Sequence, residues 1–357
     1  MKIFTTLLLA MLSTLIVSCS SSTKNMKVYQ EDNQALAQQM QDNDLSIQYL
    51  GVGGHVFRFR DSAIMTAPSI TNPSFWVLGP FMPISADTDL IDRYLPDVSD
   101  VESILVGHAH YDHLMDVPYV MQTKAPSSHA YGSATMVHSI APAIEKYRLH
   151  SLNDSMAILD EPGQWHYNSK KTIRFMAIKS THAPHFMGMN IMTGTYNKDL
   201  EELPWHAFGW KEGQTLSYLI DFLGPQEEIL HRIYYQDAAS QEPLGLLPKM
   251  IARDQKRVDI AIITPASFHQ VDNYPESIMQ STQAHHFILG HWEDFFANQE
   301  QEQQDFVRAV DADEFFQRFQ QGLSQDTSWT MPMLYQTQYF APHGKLLTSK
   351  PLTPNNP

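Results

Sequence analysis

The chain has one cysteine, Cys19, in 357 residues. It cannot close an internal disulfide, so its stability has to come from burial and packing. Basic residues are scarce as well, with 24 Lys and Arg against 39 Asp and Glu and a formal charge of −15. That balance argues against a nucleic-acid partner, because phosphate backbones are drawn to basic surfaces. It leaves open the field inside a pocket, where bound cations can reverse the local sign. No short-period repeat and no internal low-complexity linker divides the sequence, which excludes solenoid architectures. Charged residues are only 18%, whereas hydrophobic residues are 43%. Such a chain is globular and long enough for one large domain or two smaller ones.

The first residues read as a segment apart from the fold. "MKIFTTLLLAMLSTLIVS" (residues 1–18) has a lysine, a long apolar run and then small residues. This is the pattern of a secretory signal, too short and too weakly flanked to be a stable membrane span. Its end, "LIVSC" from Leu15 to Cys19, resembles the bacterial lipobox. A plain signal with an incidental cysteine is the alternative, but the lipobox accounts for both the position and the solitude of Cys19. The resemblance implies cleavage before Cys19, acylation of its thiol and a lipid-anchored location in the bacterial cell envelope. More than one acyl chain gives stable anchoring. Ser20, where an aspartate would signal retention, resembles the pattern of outer-membrane lipoproteins.

Residues 19–44 are rich in Ser, Gln, Asn and Asp and are expected to form a polar tether, with a short helix over 34–40. The body is expected over 45–347, and the proline-rich residues 348–357 as a disordered tail. Within the body, short apolar runs alternate with turn residues. Strands are expected in "LSIQYLGVGGHVFRFRDSAIM", "SILV", "KTIRFMAIK", "TLSYLIDF", "RIYYQ", "VDIAIITP", "FILG" and "MPMLYQTQYF". Helices are expected near "LMDVPYVMQT", "TMVHSIAPAIEKYRL" and "QDFVRAVDADEFFQRFQQGL". The last shows helical spacing of Phe306, Val307, Val310, Phe315, Phe316 and Phe319.

Four polar groups follow the ends of expected strands. "HAHYDH" (residues 108–113) follows Val106, "THAPH" with His182 and His185 follows Ile178, Asp237 follows Tyr235, and His291 follows Leu289. Residues leaving strands at one sheet edge converge, and α/β proteins place their chemistry there. Imidazole and carboxylate suit zinc and other first-row divalent ions. One ion can take His108, His110 and a distant His. A second can take Asp112, His113 and another distant His, with a carboxylate such as Asp237 bridging them. A hydroxide bridging two such ions is a nucleophile at neutral pH. The alternative is a histidine-rich loop without a ligand. Asp221 competes with Asp237, His185 with His182, and His285 and His286 with His291. The choice of His182 rests on its closeness to the strand end. His55 follows a glycine turn and reads equally as a structural hydrogen-bonding group.

"HAHYDH" and its downstream partners "STHAPH", "YQDAAS" and "LGHWED" resemble, in order, the H-x-H-x-D-H pattern of the metallo-β-lactamase-fold superfamily. The openings "YLGVGGHVFRF" and "MTAPSITNPSFW" resemble the branch containing N-acyl-phosphatidylethanolamine phospholipase D and ascorbate-phosphate lactonase. The resemblance implies an α/β fold, an αββα four-layer sandwich of two mixed sheets with helices outside. It implies a metal-dependent hydrolase with two divalent ions, zinc first and manganese or iron as alternatives. The ligands implied are His108, His110 and His182 at one site, Asp112, His113 and His291 at the other, with Asp237 bridging. Asp112 and Asp237 would be the catalytic carboxylates. The implied substrate is a small molecule or lipid, a phosphodiester or phospholipid-like group first and a lactone or carboxylic ester second. One departure concerns Ala67, where the family usually has an aspartate that orients a metal-bound imidazole. It keeps a third reading open, a non-catalytic envelope lipoprotein that binds a ligand or partner. The stretch 185–210, with Trp205, Phe208 and Trp210, reads either as an apolar wall of the site or as extra core.

Overall fold

The computed structural model describes residues 26, 28–185, 188–252, 256–296 and 304–348. The signal, Cys19 and the tail from residue 349 therefore lie outside the described residues. The chain first lays down β1 (Leu45–Gly51), β2 (Gly54–Phe59), β3 (Ser62–Thr66), β4 (Val101–Leu105), β5 (His129–Gly132) and β6 (Leu149–Ser151). It then crosses to a second sheet with β7 (His166–Tyr167), β8 (Ile173–Lys179), β9 (Leu216–Leu223), β10 (Ile229–Tyr235), β11 (Ile260–Ile263), β12 (His286–Leu289) and β13 (Ser328–Thr330). Finally β14 (Thr337–Ala341) and β15 (Lys345–Leu346) return to the first sheet beside β1. Both sheets are mixed. β1 to β3 are antiparallel and β3 to β6 parallel, whereas β7 to β10 are antiparallel and β10 to β13 parallel.

Three apolar layers hold these sheets together. Phe57, Phe59, Phe175, Phe222, Ile233 and Phe340 fill the space between them. Ile91, Leu114, Val120, Met136 and Ile140 cover the outer face of the first sheet, and Phe268, Ile278, Phe315 and Phe319 that of the second. Strand β9, "LSYLIDFL", is buried at every position, as a strand covered on both faces should be. The α/β class and the αββα four-layer sandwich implied by the sequence are thus the architecture observed.

Local departures have local causes. The helix expected from Phe306 onward starts only at Ala312, where the Asp311 carboxylate accepts from Glu314 N and caps the first turn. Phe306, Val307 and Val310 are buried all the same, so their spacing recorded burial rather than helix. Near Pro118 the chain makes two short helices, Tyr111–Leu114 and Val117–Tyr119, with the proline in a first turn where its missing N–H costs nothing. In the stretch expected as a tether, Leu36 is buried, and Tyr29 N donates to Met331 O at 2.7 Å.

Candidate metal centre

The C-terminal ends of β4, β8, β10 and β12 meet at one edge of the sandwich, and each delivers part of a cluster. Three residues past β4 comes His108, and His110, Asp112 and His113 follow as the chain turns into the helix Tyr111–Leu114. His108, His110 and His113 are each 1% exposed, and Asp112, Asp237 and His291 are also buried. The ligand atoms of His108, His110 and His182 lie within 4.8 Å of one another, as do those of His108, Asp112 and His113. His291 joins from the far side, its Nε2 3.9 Å from Asp112 Oδ2, which is also 3.6 Å from His113 Nε2. The structure thus brings together all seven residues picked from the sequence.

Asp237 sits between two of the imidazoles. Its Oδ1 is 3.2 Å from His108 Nδ1 and its Oδ2 3.2 Å from His113 Nδ1. Burial alone would raise this carboxyl, but His113 and His108 beside it hold it well below the usual range. Burial, and then neighbouring imidazoles, push His108 and His110 well below theirs. Both are then neutral, the form in which imidazole ligates a metal. His108 Nε2, His110 Nε2 and His291 Nδ1 are buried without a hydrogen-bond partner. Buried polar atoms are normally paired, so unpaired imidazole nitrogens in groups whose ligand atoms lie within 4.8 Å of one another fit a cation. The cluster is consistent with a metal site.

Two glycines make room for it. A Cβ on Gly107 would stand 2.3 Å from Asp237 Oδ2, and one on Gly53 would stand 2.8 Å from both His113 Nδ1 and Tyr235 Oη. Ala67 is buried and brings no polar group. His108 Nδ1 hydrogen-bonds Asp237 Oδ1 at 3.2 Å, and His182 Nδ1 hydrogen-bonds the Ala183 carbonyl at 2.6 Å.

The rivals have other occupations. Asp221 lies within β9 and pairs with Arg174 and Arg232. His286 lies between the Ser328 and Thr330 hydroxyls at 2.7 and 2.9 Å. His185 stacks on His182 with ring centroids 4.5 Å apart. His55 packs against Tyr49 and Tyr235, and burial lowers it to about 4.

Sequence reasoning missed the supports. Tyr235 Oη donates to Gly53 O at 2.6 Å and lies 3.2 Å from Asp237 Oδ2. Tyr49 Oη donates to the buried Glu293 carboxylate and accepts His291 N at 2.8 Å. This contact holds His291 at φ 50°, in the left-handed region, an unusual conformation for a side-chain-bearing residue. No motif marks these tyrosines. The one available signal was Tyr235 two positions before Asp237 in "YYQD".

No protein-family model matches the chain, and no curated protein matches its sequence. Among solved structures it is similar to Igni18, a metallo hydrolase from the archaeon Ignicoccus hospitalis, at 13% identity over 83% of this chain and 98% of that one, with a TM-score of 0.49. It is similar to isothiocyanate hydrolase from Delia radicum gut bacteria at 9% identity over 83% and 99%, TM-score 0.47. It is also similar to CmlA, a diiron β-hydroxylase from Streptomyces venezuelae, at 12% identity over 85% and 55%, TM-score 0.47.

Proposed function

We propose that this chain is a metal-dependent hydrolase with a dinuclear site, acting on a phosphodiester or phospholipid-like substrate. The observation that carries the reading is the convergence of buried, unpartnered imidazole nitrogens with two carboxylates at a single sheet edge. His108, His110 and His182 would hold one divalent ion, and Asp112, His113 and His291 the other, with Asp237 placed to bridge. Zinc suits this donor set, and manganese and iron are the alternatives. Such ions supply Lewis-acid polarisation of an ester oxygen and an activated water at neutral pH. The chain's own residues supply the preorganisation. Asp237 Oδ1 hydrogen-bonds His108 Nδ1, so that Nε2 of His108 points away from the carboxylate, and Oδ2 lies 3.2 Å from His113 Nδ1.

Apolar groups flanking the cluster support a lipid-like substrate. On one side Phe295 packs on His291 with centroids 4.8 Å apart, and Phe296 and Phe75 continue outward to Trp76. On the other, Met189 and Ile191 adjoin His185 through backbone bonds. Trp76 is 73% exposed, and Met189 and Ile191 are exposed too. A lipid anchor at Cys19 in the bacterial envelope belongs to the same proposal and would keep the domain beside its substrate. Equal fatty-acid labelling of wild type and Cys19→Ala would remove that part.

The test is turnover by zinc- or manganese-loaded protein of bis(p-nitrophenyl) phosphate, phospholipid vesicles and simple lactones. Hydrolysis of diesters, with phospholipid preferred, is the expected result. Turnover of lactones alone would move the site to carboxylic esters, and turnover of none would leave a binding protein.

A further inference from the structure

His182 and His185 stand side by side past the end of β8, stacked with ring centroids 4.5 Å and planes 19° apart. Their hydrogen bonds place their protons on opposite nitrogens. His182 Nδ1 lies 2.6 Å from the Ala183 carbonyl. A carbonyl only accepts, so Nδ1 carries the proton and Nε2 keeps its lone pair. His185 Nδ1 instead accepts from the backbone N–H of Ile191, at 3.4 Å. Its lone pair is therefore on Nδ1 and its proton on Nε2. That Nε2 is buried and unpartnered, and the ring is 5.1 Å from His110 between centroids.

The consequence is a division of labour within one stacked pair. A bare Nε2 can ligate a cation, as His182 does in the arrangement proposed above, whereas an N–H cannot. We propose that His185 is a hydrogen-bond donor to an oxygen of the bound substrate, a phosphoryl or carboxyl oxygen held at the cluster, and is not a metal ligand. This rests on the hydrolase reading for what the oxygen belongs to. It does not rest on that reading for the proton's place, which the Ile191 contact sets. His185 N also donates to Met189 O at 3.0 Å. A buried donor without a partner is one that a ligand oxygen can satisfy, and preorganised donors aimed at developing charge are an efficient form of stabilisation. No proton leaves the ring in this role.

The experiment uses the full chain, isotope-labelled in its histidines and loaded with an NMR-active cadmium isotope. The expected spectrum shows His182 Nε2 coupled to cadmium, and His185 Nε2 carrying its own proton without that coupling. Orthophosphate titrated into the cadmium-loaded protein provides the second arm. His185→Ala should weaken phosphate by about tenfold with cadmium content unchanged, the effect of one hydrogen bond to a charged oxygen. His185→Gln, which keeps a donor, should recover part of the loss. Cadmium coupling at His185 Nε2, or loss of cadmium from His185→Ala, would make it a ligand and overturn the proposal. Wild-type protein that binds no phosphate, or equal affinity in wild type and His185→Ala, would overturn it too. A wild type that takes up cadmium and phosphate but hydrolyses neither diesters nor lactones would instead fail the hydrolase reading and leave the donor assignment standing.

Discussion

Asp221 and Asp237 are both buried aspartates of the second sheet, one inside β9 and the other just past the end of β10, yet their surroundings differ in kind. Asp221 Oδ1 accepts Arg232 Nε at 2.7 Å, while Oδ2 accepts Arg232 Nη2 at 2.9 Å and Arg174 at 2.8 and 2.9 Å. Around it, Arg232 N donates to Asp259, and Lys256 closes on the same carboxylate. Each of these charges has an opposite partner. Asp237 meets two imidazoles and the Tyr235 hydroxyl, and beyond the rings lie nitrogens without a hydrogen-bond partner. Burial and charge are shared by the two clusters, so neither property marks a functional site. What separates them is whether the hydrogen-bonding capacity is used up. A closed ionic network is structural, whereas unused hydrogen-bonding capacity is consistent with a metal site.

Substitutions sharpen this contrast. Asp237→Ala should lower hydrolysis on the order of a thousandfold, since the several kcal/mol that bound metal contributes is lost. Its near-UV circular dichroism should stay native. If activity persists, the open cluster is not the site. Asp221→Ala should do the reverse. It strands Arg232 inside the sheet and should cost about 3–5 kcal/mol in urea unfolding, while metal bound per folded molecule is unchanged. A metal-poor but stable Asp221→Ala would erase the distinction. Gly107→Ala drives a methyl into Asp237 and should weaken metal binding roughly 10- to 100-fold, as loss of an orienting partner does, with about 1–3 kcal/mol of overpacking strain. The smallest effect is expected of Tyr49→Phe. It takes an acceptor from His291 N and a donor from Glu293, and should cost about 1–3 kcal/mol of stability by the same unfolding assay.

The sequence made the site more legible than its supports. Ligand-type residues stand immediately after apolar strand runs, and strand ends converge by topology, so His108, His182, Asp237 and His291 could be gathered without coordinates. The same alternation of apolar runs and turns showed strands with helices between them, whereas the two-sheet sandwich came from the resemblance of the motifs. Tertiary pairing was not legible. Nothing near Asp221 in "SYLIDF" announces Arg174 or Arg232, which reach it across neighbouring strands. Tyr49 and Glu293 lie far apart in the chain, and the contact of Tyr49 with His291 depends on two sheets closing. Helix boundaries failed for a related reason. Phe306, Val307 and Val310 are apolar because they are buried, and burial in a loop mimics helical spacing. The choice of His182 over His185 rested on closeness to the strand end, whereas the groups their Nδ1 atoms meet, a carbonyl and an N–H, are encoded by no spacing.

The occupant proposed for the open cluster is a pair of divalent ions. It is tested most directly by equilibrium dialysis against zinc, manganese and iron in turn, followed by elemental analysis of the folded protein. About two ions per chain are predicted, as for two-metal hydrolytic sites, falling in both His110→Ala and His291→Ala. A wild-type chain that retains no ion from any of the three would contradict it.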